Sequence, residues 1–209
     1  MTAVGAQADP PRPDAGAVDG RLARRDRNRT AVLDAMLALF AEGDLDPTPE
    51  HVARRAGISP RSVYRYFDDR EALLRAAIAH HLDSVWHLYV FHGIGEGPFE
   101  RRVTEFAAHR LRLYEAIGPT ARATRTRATT DELLREQLEL TRRALREQVE
   151  KQFAPELEGM SARARRARLA AVDALCELET LDLYRLHRGF STTDTEALLA
   201  DALRALLTP

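Results

Sequence analysis

Residues 60–67, PRSVYRYF, concentrate hydrogen-bond donors on one short stretch of the chain. Val63 and Phe67 are four residues apart, so on a helix they share one face and would turn inward together. The side chains left to point outward are Arg61, Ser62, Tyr64, Arg65 and Tyr66. Guanidinium and hydroxyl groups bind phosphate oxygens, and arginine also pairs bidentately with guanine. The segment therefore has the chemistry to contact a nucleic acid.

The residues just before this stretch predict a second short helix and a tight turn. Thr48 can cap the helix through its hydroxyl, Pro49 suits its first turn, and Gly57 ends it. Ser59 and Pro60 repeat the same start signal for the next helix. Two short helices joined by a glycine turn, with outward donors on the second, are typical of a helix-turn-helix motif that reads DNA.

Charge is distributed unevenly, although the formal net charge of the chain is only -1. Residues 21–29, RLARRDRNR, hold five arginines against one acidic residue, immediately ahead of the two-helix element. This segment favours phosphate binding, and a solvated helix start explains it equally well.

Composition limits the other possibilities. The chain has 209 residues, is 44% hydrophobic and has no apolar run of membrane-spanning length. Residues 1–20 lack the basic and apolar regions of a secretory signal, so we expect a disordered tail and a cytoplasmic protein. Cys176 is the only cysteine, which excludes an internal disulfide and a cysteine-based zinc cluster. We expect no cofactor and no metal.

Apolar residues recur at helical spacing along the whole chain, so we expect an all-α protein. The glycine and proline at 118 and 119 predict a helix end, and the arginines from Arg122 to Arg127 are interpreted as a solvated helix face. The predicted helices include Arg24 to Glu42, a long one after Asp68 and Asp69, one from about Asp131, Ser161 to about His187, and Thr193 to Leu207.

The penultimate predicted helix is apolar or small over more than one face. Its small residues are Ala167, Ala170, Ala171 and Ala174. Small side chains let helices approach closely, so the last two helices of two subunits could pack as a four-helix interface. We favour a homodimer through these helices; burial inside one chain is the alternative.

The order of elements resembles the tetracycline-repressor (TetR-like) family of bacterial transcription factors. Residues 58–76, ISPRSVYRYFDDREALLRA, carry the resemblance, supported by Thr48 and residues 53–57. It implies a three-helix head followed by about six helices. The implied domains are a disordered tail at 1–20, a helix-turn-helix DNA-binding domain at 21–70, and a helical effector-binding and dimerisation domain at 71–209.

The resemblance also implies roles for individual residues. Tyr64 and Thr48 occupy phosphate-contacting positions, Tyr66 lies near the backbone, and Arg70 matches a basic residue that starts the fourth helix. Arg61, Ser62 and Arg65 are then the candidates for base contacts, and either arginine could hold phosphate instead. The expected DNA-binding residues are Thr48, Ser59, Arg61, Ser62, Tyr64, Arg65, Tyr66 and Arg70.

The function implied by the resemblance is a ligand-responsive, sequence-specific regulator. A symmetric dimer would place two recognition helices in successive major grooves of a palindromic operator, and a small molecule would release it. A repressor is favoured over an activator or a protein that needs its ligand to bind. Candidate pocket residues, each with core or surface as the simpler reading, are Trp86, Tyr89, Phe106, His109, Tyr114 and Tyr184.

Two other classes of protein remain as alternatives. An α-helical enzyme is disfavoured because the sequence has no His-Glu-x-x-His pair, phosphate-binding glycine loop or recognisable nucleophile motif. His80, His81 and His87 are poorly spaced for a metal site on a helix. A nonspecific architectural DNA-binding protein would share the phosphate contacts, yet it would not need about six helices behind its head.

Overall fold

The computed structural model describes the backbone of residues 15–208 and the side chains of residues 23–208. The described residues form α-helices without any strand, which confirms the all-α prediction. The helices are α1 (Ala15–Ala41), α2 (Pro49–Ala56), α3 (Pro60–Tyr64), α4 (Arg70–Tyr89), α5 (Phe99–Arg127), α6 (Glu132–Gln152), α7 (Ala154–Leu157), α8 (Ala162–Cys176), α9 (Leu178–Asp182) and α10 (Thr192–Leu207). Across residues 15–208, no helix combines the length and apolar character needed to cross a membrane.

The first helix begins earlier than predicted. It starts at Ala15, nine residues before Arg24; three alanines and two arginines in residues 15–24 favour helix, and the two glycines there do not prevent it. Residues 15–20, which we assigned to a disordered tail, are therefore helical, whereas residues 1–14 of that tail lie outside the described residues.

Helices α1 to α3 enclose a core that also contains the first half of α4. In α4, the core residues are Leu73, Leu74, Ala77 and Ile78. Ala123 and Ala128 at the end of α5 and Leu134 at the start of α6 belong to the same buried cluster. The head and the rest of the chain thus share apolar packing around α4.

Helix α5 runs through the Gly118–Pro119 pair, so the predicted helix end there is wrong. Proline lacks the N–H that would bond to the Glu115 carbonyl, at a cost of about 3 kcal/mol in a helix interior. Buried residues on both sides of the proline, Ile117 before it and Ala123 after it, keep the helix in register.

The helix predicted from Ser161 to His187 is interrupted. Glu177 has extended backbone angles, φ -68° and ψ 148°, and the chain continues as α9 and then as a π-helical turn, Leu183–His187. This break turns Leu181 and Asp182 toward α5, where both are buried. Their burial and ion pairing outweigh the propensity for one continuous helix.

Asp182 is the centre of a charged cluster between α5 and α9. Its carboxylate accepts hydrogen bonds from the Tyr114 hydroxyl at 2.9 Å, Arg122 NH1 at 2.9 Å and Arg125 NH2 at 2.5 Å. Arg127, two residues further on, pairs with Glu71 of α4 at 2.7 Å. The arginines from Arg122 to Arg127 are therefore structural ion-pair partners and not the solvated helix face that we predicted.

Replacement of Asp182 by alanine should lower the free energy of unfolding by about 3 kcal/mol, because it leaves the largely buried Arg122 guanidinium unpaired and removes the nearer of the two carboxylates that pair with Arg125. Urea denaturation would measure the loss. The matched control is Asp201→Ala, which removes an exposed i,i+3 partner of Arg204 and should cost about 0.5 kcal/mol or less. Equal effects of the two substitutions would contradict the role assigned to Asp182.

His109 should make stability depend on pH in the acid range. Burial lowers the pKa of His109 from 6.5 to about 4, with Arg110 and Arg112 adding to the effect. Below pH 6.5 the unfolded imidazole takes up a proton that the folded one refuses until about pH 4. Stability should fall across this window by at most about 3 kcal/mol and be unaffected by His109 above it.

The measurement is urea denaturation of the wild type and of His109→Phe between pH 7 and pH 4. The variant should show a shallower loss of stability with acid than the wild type. The same substitution at His92, which is exposed, serves as the control. An unchanged slope in His109→Phe would show that His109 is not the source of the acid sensitivity.

Candidate DNA interface and ligand groove

The helix-turn-helix is built as the sequence predicts. The Thr48 hydroxyl accepts a hydrogen bond from the His51 amide at 3.3 Å, and Ser59 accepts from the Ser62 amide at 3.3 Å. Gly57 closes α2 in the left-handed conformation, φ 69°, which a side chain would disfavour. These caps fix the angle at which α3 leaves the turn.

The outward face of α3 is open to solvent. Val63 and Phe67 are buried, as their spacing predicts. Tyr64 is 50% exposed, and Arg61 and Arg65 are exposed beside it. The Tyr64 hydroxyl lies 3.5 Å from Glu50 on α2, so it shares one edge of the surface with the cap of that helix.

The basic start of α1 lies beside this face. The Tyr66 hydroxyl accepts hydrogen bonds from Arg65 at 3.0 Å and from Asn28 of α1 at 3.5 Å. The Arg29 guanidinium lies 5.2 Å from the centre of the Phe67 ring. Burial raises the pKa of Tyr66, but the donors Arg65 and Asn28 and the charge of Arg25 outweigh it, so its pKa is lowered. The two segments form one positive surface.

Arg70 is used within the protein. Its guanidinium donates to the backbone carbonyls of Asp46 and Pro47 and pairs with the Asp46 carboxylate. It therefore holds the loop from which α2 begins. Asp69 next to it caps α4 by accepting from the Ala72 amide at 2.6 Å. Of the two aspartates considered for that cap, Asp69 provides it.

The six candidate pocket residues do not converge on one site. Phe106 lies in the buried core that α5 to α10 form. Tyr114 bonds to Asp182, and Tyr184 stacks on Phe190 with ring centres 6.1 Å apart. His109 packs against Phe91 at 4.7 Å, on a separate surface depression. Trp86 and Tyr89 stack at 5.9 Å and do line a groove together.

This groove lies between α4 and α6 and reaches inward to α5. Its inner part, between Ile78, Ile117 and Leu178, has a cavity volume of about 40 Å³. Its outer part, beside Trp86, has about 330 Å³, within the range of small-molecule sites. Leu82, Tyr89, Gln137 and Thr141 line both parts and make them continuous.

The α6 residues that form one wall of the groove were not among the predicted pocket residues. Gln137, Thr141 and Gln148 recur at helical spacing on the groove side of α6, with Ala144 between them. That periodicity was available from the sequence. None of these α6 residues is aromatic, whereas the pocket candidates were mainly aromatic side chains, so this side of α6 was not predicted to line a pocket.

Comparison with known proteins relates the chain to one family. The family model described as "Bacterial regulatory proteins, tetR family" matches residues 32–77. No curated protein matches the chain. The matched residues cover the end of α1, the helix-turn-helix and the start of α4.

Solved structures share the fold over most of the chain. A tetR-family transcriptional regulator from Streptomyces coelicolor has 19% identity and a TM-score of 0.65, covering 87% of this chain and 80% of its own. A proposed TetR-family regulator from Rhodococcus sp. has 23% identity and a TM-score of 0.62, with 87% and 100% covered. One from Mesorhizobium loti has 15% identity and a TM-score of 0.59, with 88% and 96% covered.

The family match falls on the part of the chain that carries the exposed donors, and the structural likeness extends over the remaining helices. Residues 32–77 thus match the model of the tetR family of bacterial regulatory proteins, and the chain has the fold of TetR-family transcriptional regulators.

Proposed function

We propose that the protein is a homodimeric repressor that binds a palindromic operator and is released from it by a small molecule. The observation that carries this proposal is the open donor face of α3 beside the arginines of α1, within residues that match the tetR family. Such a face serves no packing purpose in the monomer. A duplex would satisfy both its charge and its donors.

The residues of this surface divide by what they can reach. Arg61 and Arg65 are exposed on α3 and are proposed to contact base edges in the major groove. Ser62 is half-buried, and its hydroxyl is 2.9 Å from that of Ser59, so we propose that this pair contacts the DNA backbone rather than base edges. Tyr64 and Thr48 are proposed to bind phosphate and so to fix the register. Arg70 supports them by holding the α2 loop.

The exposed faces of α8 and α10 suit a dimer interface. Leu169 and Val172 turn inward on α8, and its exposed side carries small residues, namely Ala167, Ala170 and Ala174. Ala197 and Ala205 are exposed on α10. Small side chains allow close helix approach, so four such helices from two subunits could pack together.

Ligand response is supported by the way α4 connects the groove to the head. Its last two turns carry Trp86 and Tyr89, while its first half lies in the core of the head. Arg75 pairs with Asp131 at 2.9 Å, and Arg127 pairs with Glu71 at 2.7 Å. The C-terminal end of α5 and the N-terminal end of α6 therefore hold the start of α4. A ligand that favours another α4 orientation would change the spacing of the two heads.

The DNA surface can be tested by separating phosphate contacts from base contacts. Tyr64→Phe should weaken binding to all duplexes about equally, because phosphate carries no sequence information. Arg61→Ala and Arg65→Ala should each make the free energy of binding to the preferred duplex less favourable by about 1–3 kcal/mol. The loss should be smaller on a duplex that is already changed at the base pair the arginine contacts. Fluorescence anisotropy over a panel of single-base variants of the tightest duplex measures both patterns.

The control for this panel is Arg143→Ala, which removes an exposed arginine of α6 remote from α3 and should bind DNA like the wild type. Wild-type affinity and selectivity in all three α3 variants would show that this helix is not the reading element.

A further inference from the structure

The described lining of the groove between α4 and α6 is uncharged. The chain as a whole is 30% charged, yet among residues 23–208 no aspartate, glutamate, lysine or arginine lines either part of the groove. A bound ion would lose its hydration there without gaining a counter-charge, which is costly in an apolar site. The lining alone therefore selects against ionised ligands.

His81, the one ionisable imidazole in the lining, adds no charge at neutral pH. Burial lowers the pKa of His81 below 6.5; a hydrogen bond to the Ala116 backbone partly offsets this effect, and His80 lowers the pKa further. Its Nε2 atom is buried at the groove and makes no side-chain hydrogen bond to the described residues. This nitrogen is available to a neutral ligand group.

A second buried polar atom lies in the outer part of the groove. The Gln148 side-chain amide donates to the Tyr89 carbonyl at 2.6 Å, which fixes its orientation. Its Oε1 atom is buried and accepts no hydrogen bond from any described residue. Buried acceptors are normally satisfied, so this oxygen points to a donor from outside the described residues, such as a bound ligand.

The aromatic pair at the mouth defines the shape of what fits. Trp86 is 66% exposed although it stacks on Tyr89, so most of the indole surface is open to solvent. The wide outer part can hold a ring system next to this face, whereas the inner part admits only a slender group.

We propose that the groove binds an uncharged aromatic ligand bearing a hydroxyl or another neutral hydrogen-bond donor. Its ring lies against Trp86 and Tyr89, and its donor meets Gln148 Oε1 or reaches inward to His81 Nε2. This inference rests on the proposed function in taking the groove as the effector site. Binding itself can be measured without DNA.

The test compares two probes of nearly equal size, 2-naphthaleneethanol and 2-naphthaleneacetate, by isothermal titration calorimetry at pH 7.5. The neutral alcohol should bind at least about tenfold more tightly than the carboxylate, a difference of about 1.4 kcal/mol. Equal or tighter binding of the carboxylate overturns the proposal. So does the failure of both probes to bind at about 1 mM.

A charge placed in the groove should reverse this preference. Thr141 lines both parts, and Thr141→Arg would add the counter-charge that the carboxylate lacks, so the acetate should become the tighter ligand. The matched control is Thr126→Arg. Thr126 is an exposed helical threonine whose hydroxyl bonds to the carbonyl four residues earlier at 3.0 Å, as that of Thr141 does at 2.9 Å.

Thr126→Arg should keep the wild-type preference for the alcohol, and an identical reversal in both variants would place the binding site elsewhere. Circular dichroism of both variants verifies folding, and the wild-type comparison decides the proposal if Thr141→Arg does not fold. If the protein prefers the alcohol but enriches no DNA sequence, the inference about the ligand class holds and the proposed function fails. If it enriches a DNA sequence but prefers the carboxylate, the proposed function holds and the inference about the ligand class fails.

Discussion

The burial of the first half of α4 among helices from both ends of the chain is the constraint on which the rest of the fold depends. Leu73, Leu74, Ala77 and Ile78 pack against α1 to α3 on one side and against the ends of α5 and α6 on the other. Burying each of these leucine and isoleucine side chains contributes about 1.5–3 kcal/mol, so the head cannot turn without moving α4. The ion pairs Arg75–Asp131 and Arg127–Glu71 further fix the orientation of α4 relative to α5 and α6.

The second half of α4 is held much less firmly. Leu82, Val85 and Tyr89 are only partly buried, and Trp86 is largely exposed. The groove lies against this less constrained half, so a ligand there competes with few existing contacts. A helix that is fixed at one end and open at the other suits the transmission of a change in orientation from the groove to the head.

Local signals made the head predictable from sequence. Caps, glycine turns and the spacing of Val63 and Phe67 act within a few residues, and the structure has them where the sequence places them. Features that depend on distant partners were missed. Pro119 stays in a helix because of burial on both sides, the chain breaks at Glu177 to bring Asp182 to two arginines of α5, and Arg70 bonds to a loop more than twenty residues earlier. The groove could not be predicted, because its walls come from three helices whose packing no local sequence signal reveals.

The central claim is that two copies of α3 read DNA as a symmetric pair. Selection of bound duplexes from a random DNA pool by the purified, ligand-free protein, followed by sequencing, tests it most directly. The account predicts enrichment of a palindrome whose half-sites are about one helical turn apart, roughly 34 to 36 Å. Recovery of a pool with no enriched sequence, or of a single half-site without symmetry, would contradict it.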